Sequence, residues 1–187
     1  MSGQFPSVTQ ILKDNGISTV LYESQVMNDA MRRGRLVHAC GHLIAGGKTI
    51  DPAWTRRHPE CLGYTAGIEL FLSRHNFRLS DAELEVRCET ERYVTHPDWI
   101  GFLDDVPADI DIKTGACPAG AGIQLGGQLY ALRSIKYPNA DKMIRVALEL
   151  PGDGTFKLKY FTDPREMSEF VILARAWHIR AKYGVAA

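Results

Sequence analysis

Two carboxylates and a lysine stand where they could do chemistry together. Gly101-Phe102-Leu103-Asp104 is followed, seven residues later, by Asp111-Ile112-Lys113-Thr114-Gly115. Side chains two apart on a strand share a face. Asp111 and Lys113 therefore point the same way, and a tight hairpin would bring Asp104 to meet them from the neighbouring strand. Two carboxylates can hold a hard divalent cation such as Mg²⁺ through oxygen. An ammonium beside that ion can orient a water or stabilise charge that builds on a phosphate. The chemistry this predicts is metal-assisted phosphodiester cleavage. The competing reading is an ordinary solvated Asp-x-Lys pair. Strict alternation through Asp109-Ile110-Asp111-Ile112-Lys113 favours a buried Ile side and a charged side facing a cleft or solvent.

The elements that must position these groups are legible from periodicity. Ser7 can cap a first helix carrying Val8, Ile11 and Leu12, which Asn15-Gly16 ends. A second helix spans about 25–45, with Met27, Met31, Leu36, Val37, Cys40 and Ile44 near one face, and Gly46-Gly47 stops it. Residues 46–60 read as a loop and 61–75 as a third helix. The period then changes to two, giving strands at 83–93, 99–106 and 109–114, the last two joined by a turn around Pro107. Residues 116–122 form a connector and 124–135 a helix. A hairpin, 143–150 with 155–161, turns at Pro151-Gly152-Asp153-Gly154, and Asp163-Pro164 opens a last helix reaching about 182. The pattern predicts one α/β domain over 1–187, a small central mixed sheet flanked by helices.

Composition narrows the class. The 187 residues are 45% apolar and 24% charged, ordinary for a soluble globular chain of this size. Lys plus Arg and Asp plus Glu both number 22, which argues against coating nucleic acid through bulk charge but leaves room for a local basic patch. Cys40, Cys61, Cys88 and Cys117 are scattered, without a zinc or iron–sulfur spacing, and read as reduced thiols. No apolar run approaches the roughly 18 residues that span a bilayer. Met1-Ser2-Gly3-Gln4-Phe5-Pro6 lacks the basic start and apolar core of a signal peptide. The expected location is the cytoplasm, and no membrane partner is expected.

Taken in order, Pro-Ser-Val-Thr-Gln-Ile-Leu, a helical Gly-x-x-x-His, a strand Glu, Gly-x-x-Asp, Asp-x-Lys-Thr-Gly and a Gln-bearing helix resemble the PD-(D/E)XK nucleases. The resemblance is to their RecB-like branch as found in phage genomes, and it runs from residue 6 to about 180. It implies a restriction-endonuclease-like core and Mg²⁺- or Mn²⁺-dependent cleavage of DNA. An exonuclease of phage recombination or replication type is expected, in the host cytoplasm if phage-encoded, with a homo-oligomer or a recombination partner conceivable. His38, in Gly34-Arg35-Leu36-Val37-His38, takes the place of a metal ligand. Asp104 takes that of the ligating aspartate, Asp111 and Lys113 those of the D/E-x-K, and the Ile112 carbonyl completes the metal shell. Glu89, or else Glu85, matches the strand glutamate. Gln124 matches the start of a Gln-x-x-x-Tyr motif, from which this chain departs: Gln128 stands four on, and the tyrosine is Tyr130. No cysteines follow the nuclease core, so no iron–sulfur cluster is expected.

Further residues have two readings each. Arg32, Arg33 and Arg35, with Lys48, Arg56 and Arg57, could track phosphates or form a solvated face. Gln124, Gln128 and Tyr130 could contact the substrate. His38 and His42, four apart on a helix, could instead be a zinc pair in a hydrolase, although the glutamate of a His-Glu-x-x-His base is missing. A catalytically idle DNA- or protein-binding relative is the other alternative. His58, His75, His96 and His178 read as surface residues, and Trp54 and Trp177 as packing residues.

Overall fold

The computed structural model describes residues 5–17 and 25–184, so the N-terminal Met1–Gln4 stretch lies outside the described residues. Five strands form a mixed sheet in the order β1-β4-β5-β6-β7. They are β1 (Phe77–Ala82), β4 (Trp99–Leu103), β5 (Val106–Lys113), β6 (Ile144–Glu149) and β7 (Lys157–Phe161). Only β5 and β6 run parallel. The helix α5 (Ala121–Arg133) makes the crossover between them, as a parallel pair requires. A separate antiparallel ribbon pairs β2 (Val86–Cys88) with β3 (Tyr93–Thr95).

Two apolar layers sandwich the sheet. On one face, α2 (Gln25–Ala45) and α4 (Leu62–Arg74) cover a cluster containing Val37, Ile68, Phe71, Trp99, Ile110, Ile112 and Leu148. On the other, α1 (Val8–Asp14), α5 and α6 (Arg165–Tyr183) pack with the ribbon around Ile11, Tyr93, Ile100, Leu129 and Phe170. The helix α2 comes close to the sheet because Gly41 presents no side chain. A Cβ there would lie 3.2 Å from Ile68 and Trp99 carbons and 3.3 Å from Ile112. Among the described residues no helix is long and apolar enough to cross a membrane.

The predicted helices and the β6–β7 hairpin are present, and Ser7 caps α1 through the Gln10 amide at 3.0 Å. Three expectations need correction. The stretch 83–93 is not one strand: Glu83 and Arg92 take positive φ, and the chain turns between β2 and β3. The strand β1 and the short helix α3 (Pro52–Arg57) fall in segments not read as strand or helix. The turn after β4 is not at Pro107, which lies within β5 opposite Phe102. It is the two-residue turn Asp104-Asp105, with φ of 50° and 68°, closed by the Leu103–Val106 pair. Two left-handed residues suit the twist of a tight hairpin, and aspartate tolerates that conformation better than most.

A polar clasp ties the ribbon to the helices. The buried Glu91 carboxylate accepts from Arg175 Nη2 at 2.5 Å and Nε at 2.8 Å, and from the Tyr130 hydroxyl at 3.3 Å. The Arg175 bonds hold Glu91 below the usual glutamate value of 4.5. A depressed folded value means that its stabilisation is present above that pH and is lost as pH falls through the folded value. Glu91→Ala should lower stability by about 1–3 kcal/mol in urea titrations, the cost of stranding its hydrogen-bond partners. In Glu91→Gln the loss of stability below pH 4.5 should be shallower than in the parent.

Candidate active site

The β4–β5 register decides which acid meets Asp111. Trp99 faces Ile110 and Ile100 faces Asp109, so one step outward from Trp99 sets Asp98 opposite Asp111. The Asp98 Oδ2 accepts from the Ile112 amide at 2.7 Å, which fixes the carboxylate at the mouth of the strand pair. Its other oxygen lies 3.2 Å from His38 Nδ1. Asp98 was not among the sequence candidates. The signal was there: Pro97-Asp98, the dipeptide that supplies the first two letters of the nuclease pattern, stands immediately before an apolar run.

Asp104 does not join this group. It sits in the hairpin turn, five residues of β5 and about 17 Å of extended chain from Asp111. There it accepts from the Asn76 amide at 2.9 Å and lies 2.8 Å from His75 Nδ1, fastening the end of α4 to the hairpin. His75 is thereby partnered rather than a free surface residue, and so is His178, whose Nε2 lies 3.0 Å from the Arg92 carbonyl.

Asp111 and Lys113 share a face, as alternation requires, with Lys113 Nζ 2.6 Å from Asp111 Oδ2. Gln124, in the first turns of α5, binds both: its amide donates to Asp111 Oδ1 at 3.1 Å, and its carbonyl accepts from Lys113 Nζ at 3.2 Å. The charged side of β5 is not solvated, because α5 lies over it. Asp111 is 3% exposed and Asp109 is fully buried, with neither Asp109 oxygen hydrogen-bonded. Burial raises both carboxyls above their usual range, and Asp109 stands well above it, pushed further by the charges of Asp111 and Asp98. Burial alone would lower the Lys113 ammonium, but the charge and hydrogen bond of Asp111 outweigh it and raise it. Likewise burial works against the charged form of His38, and Asp98 more than compensates. Lys113 is thus held as a cation.

The helix α2 carries His38 beside the end of β5, where Gly34, one turn earlier, lies next to Thr114; a Cβ at Gly34 would make ordinary contact with the Thr114 hydroxyl at 3.5 Å. His42 turns elsewhere, its Nδ1 3.5 Å from Glu83. The two histidines therefore address different acids instead of forming one pair. Gln128, one turn beyond Gln124, is buried with its Oε1 unpaired. Tyr130 lies outside the group, bound to Glu91. Glu89 is exposed in the turn between β2 and β3, and Glu85 pairs with Arg87 and His96. Arg32 pairs with Glu60 at 3.2 Å, Arg33 lies over the Tyr64 ring, and Arg35 is exposed.

Among the described residues no three His, Cys, Asp or Glu side chains already converge as a metal cage. The donor set nevertheless fits a hard divalent ion. Asp98 and Asp111 bring carboxylate oxygens from adjacent strands, His38 brings an imidazole, and Asp109 adds a further acid close by. Carboxylates with one imidazole suit Mg²⁺ or Mn²⁺, the latter accepting nitrogen more readily.

No protein-family model matches the sequence, and no curated protein matches it. Among solved structures, the crystal structure of a "Putative exonuclease" from Eubacterium rectale is similar. The match covers 98% of this chain and 83% of that one, with a TM-score of 0.54 and 11% sequence identity. At that identity the likeness shows a common fold.

Proposed function

We propose that the chain is a metal-dependent nuclease that hydrolyses DNA phosphodiester bonds, acting as an exonuclease of phage recombination or replication type. The observation that carries the reading is the approach of Asp98, just before β4, to Asp111 on β5 through the Ile112 amide, bounded by His38 and by Lys113 on Gln124. The similar fold of the solved exonuclease-named structure supports the same class.

Asp98, Asp111 and His38 would hold Mg²⁺ or Mn²⁺, with the Ile112 carbonyl beside them. Such an ion, when bound, lowers the pKa of a water and neutralises phosphate oxygens. The chain's own groups do the rest. The Ile112 amide fixes the Asp98 carboxylate and so spares it the cost of ordering. Lys113 presents a half-buried ammonium where charge grows on the phosphate, in a site partly screened from water where that charge counts for more than in bulk solvent. Gln124 holds Lys113 and Asp111 in one geometry.

Digestion of end-labelled linear DNA and of covalently closed circles, in Mg²⁺, Mn²⁺ or EDTA, tests the proposal. Linear DNA should be degraded with either metal, circles should persist, and EDTA should stop the reaction. Cleavage in excess EDTA, or intact linear DNA under every metal condition, would refute it.

A further inference from the structure

The nuclease reading leaves a problem of charge. The site face of the sheet carries Asp98, Asp109, Asp111 and Glu149, and its cations, Lys113 and Arg145, are engaged with Asp111 and Glu166, yet the substrate is a polyanion. Such a site needs cations at its flank to bring a phosphate backbone near. The arginines of α2 are partly committed, Arg32 to Glu60 and Arg33 to the Tyr64 ring.

The sheet register supplies other cations. Asp111 faces Ala147 across the parallel pair, and Ala147 faces Lys159 across the next. Lys113 likewise faces Glu149, which faces Lys157. Partners across a sheet point to the same face, so both lysines stand on the site side of β7. They lie two strands from the β5 groups, about 10 Å away, and about 7 Å from each other. Both are exposed, and among the described residues neither is within ion-pairing distance of a carboxylate, although Lys159 Nζ lies over the Phe161 ring at 5.3 Å from its centroid. The loop after β5 runs between the two sets of cations. Its Cys117 amide donates to Glu149, and its thiol, raised mainly by burial, feels the opposing pull of both Lys113 and Lys159. The strand β7 is also an edge of the sheet, with one side open.

We infer that Lys157 and Lys159 on the β7 edge form the phosphate-binding flank of the cleft and grip the sugar–phosphate backbone of the strand being cut. The inference rests on the nuclease reading.

The test uses the full chain, a short fluorescent DNA duplex and EDTA to prevent cleavage, with affinity followed from about 50 to 200 mM salt. Losing two phosphate contacts should make log K against log salt shallower by about 1.8, at about 0.9 per contact. Lys157→Ala/Lys159→Ala should show this change, while Lys157→Arg/Lys159→Arg keeps the parental slope and so controls for folding. Arg78→Ala, at the hairpin end of the sheet beside Asp105, should also keep it. If the double alanine variant binds with the parental slope, the assignment is overturned and the lysines only guard an open sheet edge against pairing. If the parent binds neither duplex nor single-stranded DNA, even with Ca²⁺ in place of EDTA, the nuclease reading itself falls, and the inference with it.

Discussion

Asp98→Asn should reduce DNA cleavage by on the order of 100- to 1000-fold or more, the cost of removing one preorganised electrostatic partner, whereas Asp104→Asn should cut at the parental rate. The contrast follows from the hairpin. Asp98 stands opposite Asp111 and reaches His38, while Asp104 is in the turn, engaged with His75 and Asn76. The amide keeps an oxygen for the Ile112 N–H, so the fold should persist and the thermal midpoint should move little. What it removes is the charge needed to hold a divalent cation. Asp111→Asn should behave like Asp98→Asn. A fully active Asp98→Asn variant, or loss of activity confined to Asp104→Asn, would move the chemistry to the other end of the strand and refute the site as described.

Lys113→Ala should lower the rate at saturating DNA by on the order of 100- to 1000-fold, with a much smaller change in DNA affinity. The half-buried ammonium lies against Asp111 and is held by Gln124. That carboxylate and the Gln124 carbonyl hold its position before substrate docks, so its charge is already in place. A fixed cation favours the state in which charge has accumulated on the phosphate over the state in which substrate has merely docked, so its loss appears in kcat. Single-turnover cleavage with saturating end-labelled DNA would measure it. Normal turnover under saturation, with only a raised KM, would reduce Lys113 to a binding residue and remove it from the chemical step.

Local physics made much of the molecule readable in advance. Ser7 before Val8, Ile11 and Leu12 specifies a capped helix, because the hydroxyl satisfies an otherwise orphaned amide and the apolar spacing gives one buried stripe. Pro151 to Gly154 between two alternating runs specifies a hairpin. Asp111-Ile112-Lys113 specifies that acid and amine share a face, since a strand repeats every two residues. Each of these depends on neighbours within a few positions. The partner of Asp111 does not. A hairpin turning between Pro107 and Ala108 would set Asp104 opposite Asp111, whereas the turn between Asp104 and Asp105 sets Asp98 there. A small slide of the turn thus exchanges one aspartate for another, and the sequence offered an acid for both registers. The tertiary structure chose between them. Trp99 is buried against Phe71 and Phe77 while Ile100 enters the opposite layer, and Asp104 can bind the end of α4 only from the turn. Burial of the charged face of β5 was decided the same way. Alternation fixes which side Asp109 and Asp111 occupy, but only the packing of α5 over that side takes water away from them, and with it comes the electrostatic character on which the proposed chemistry depends.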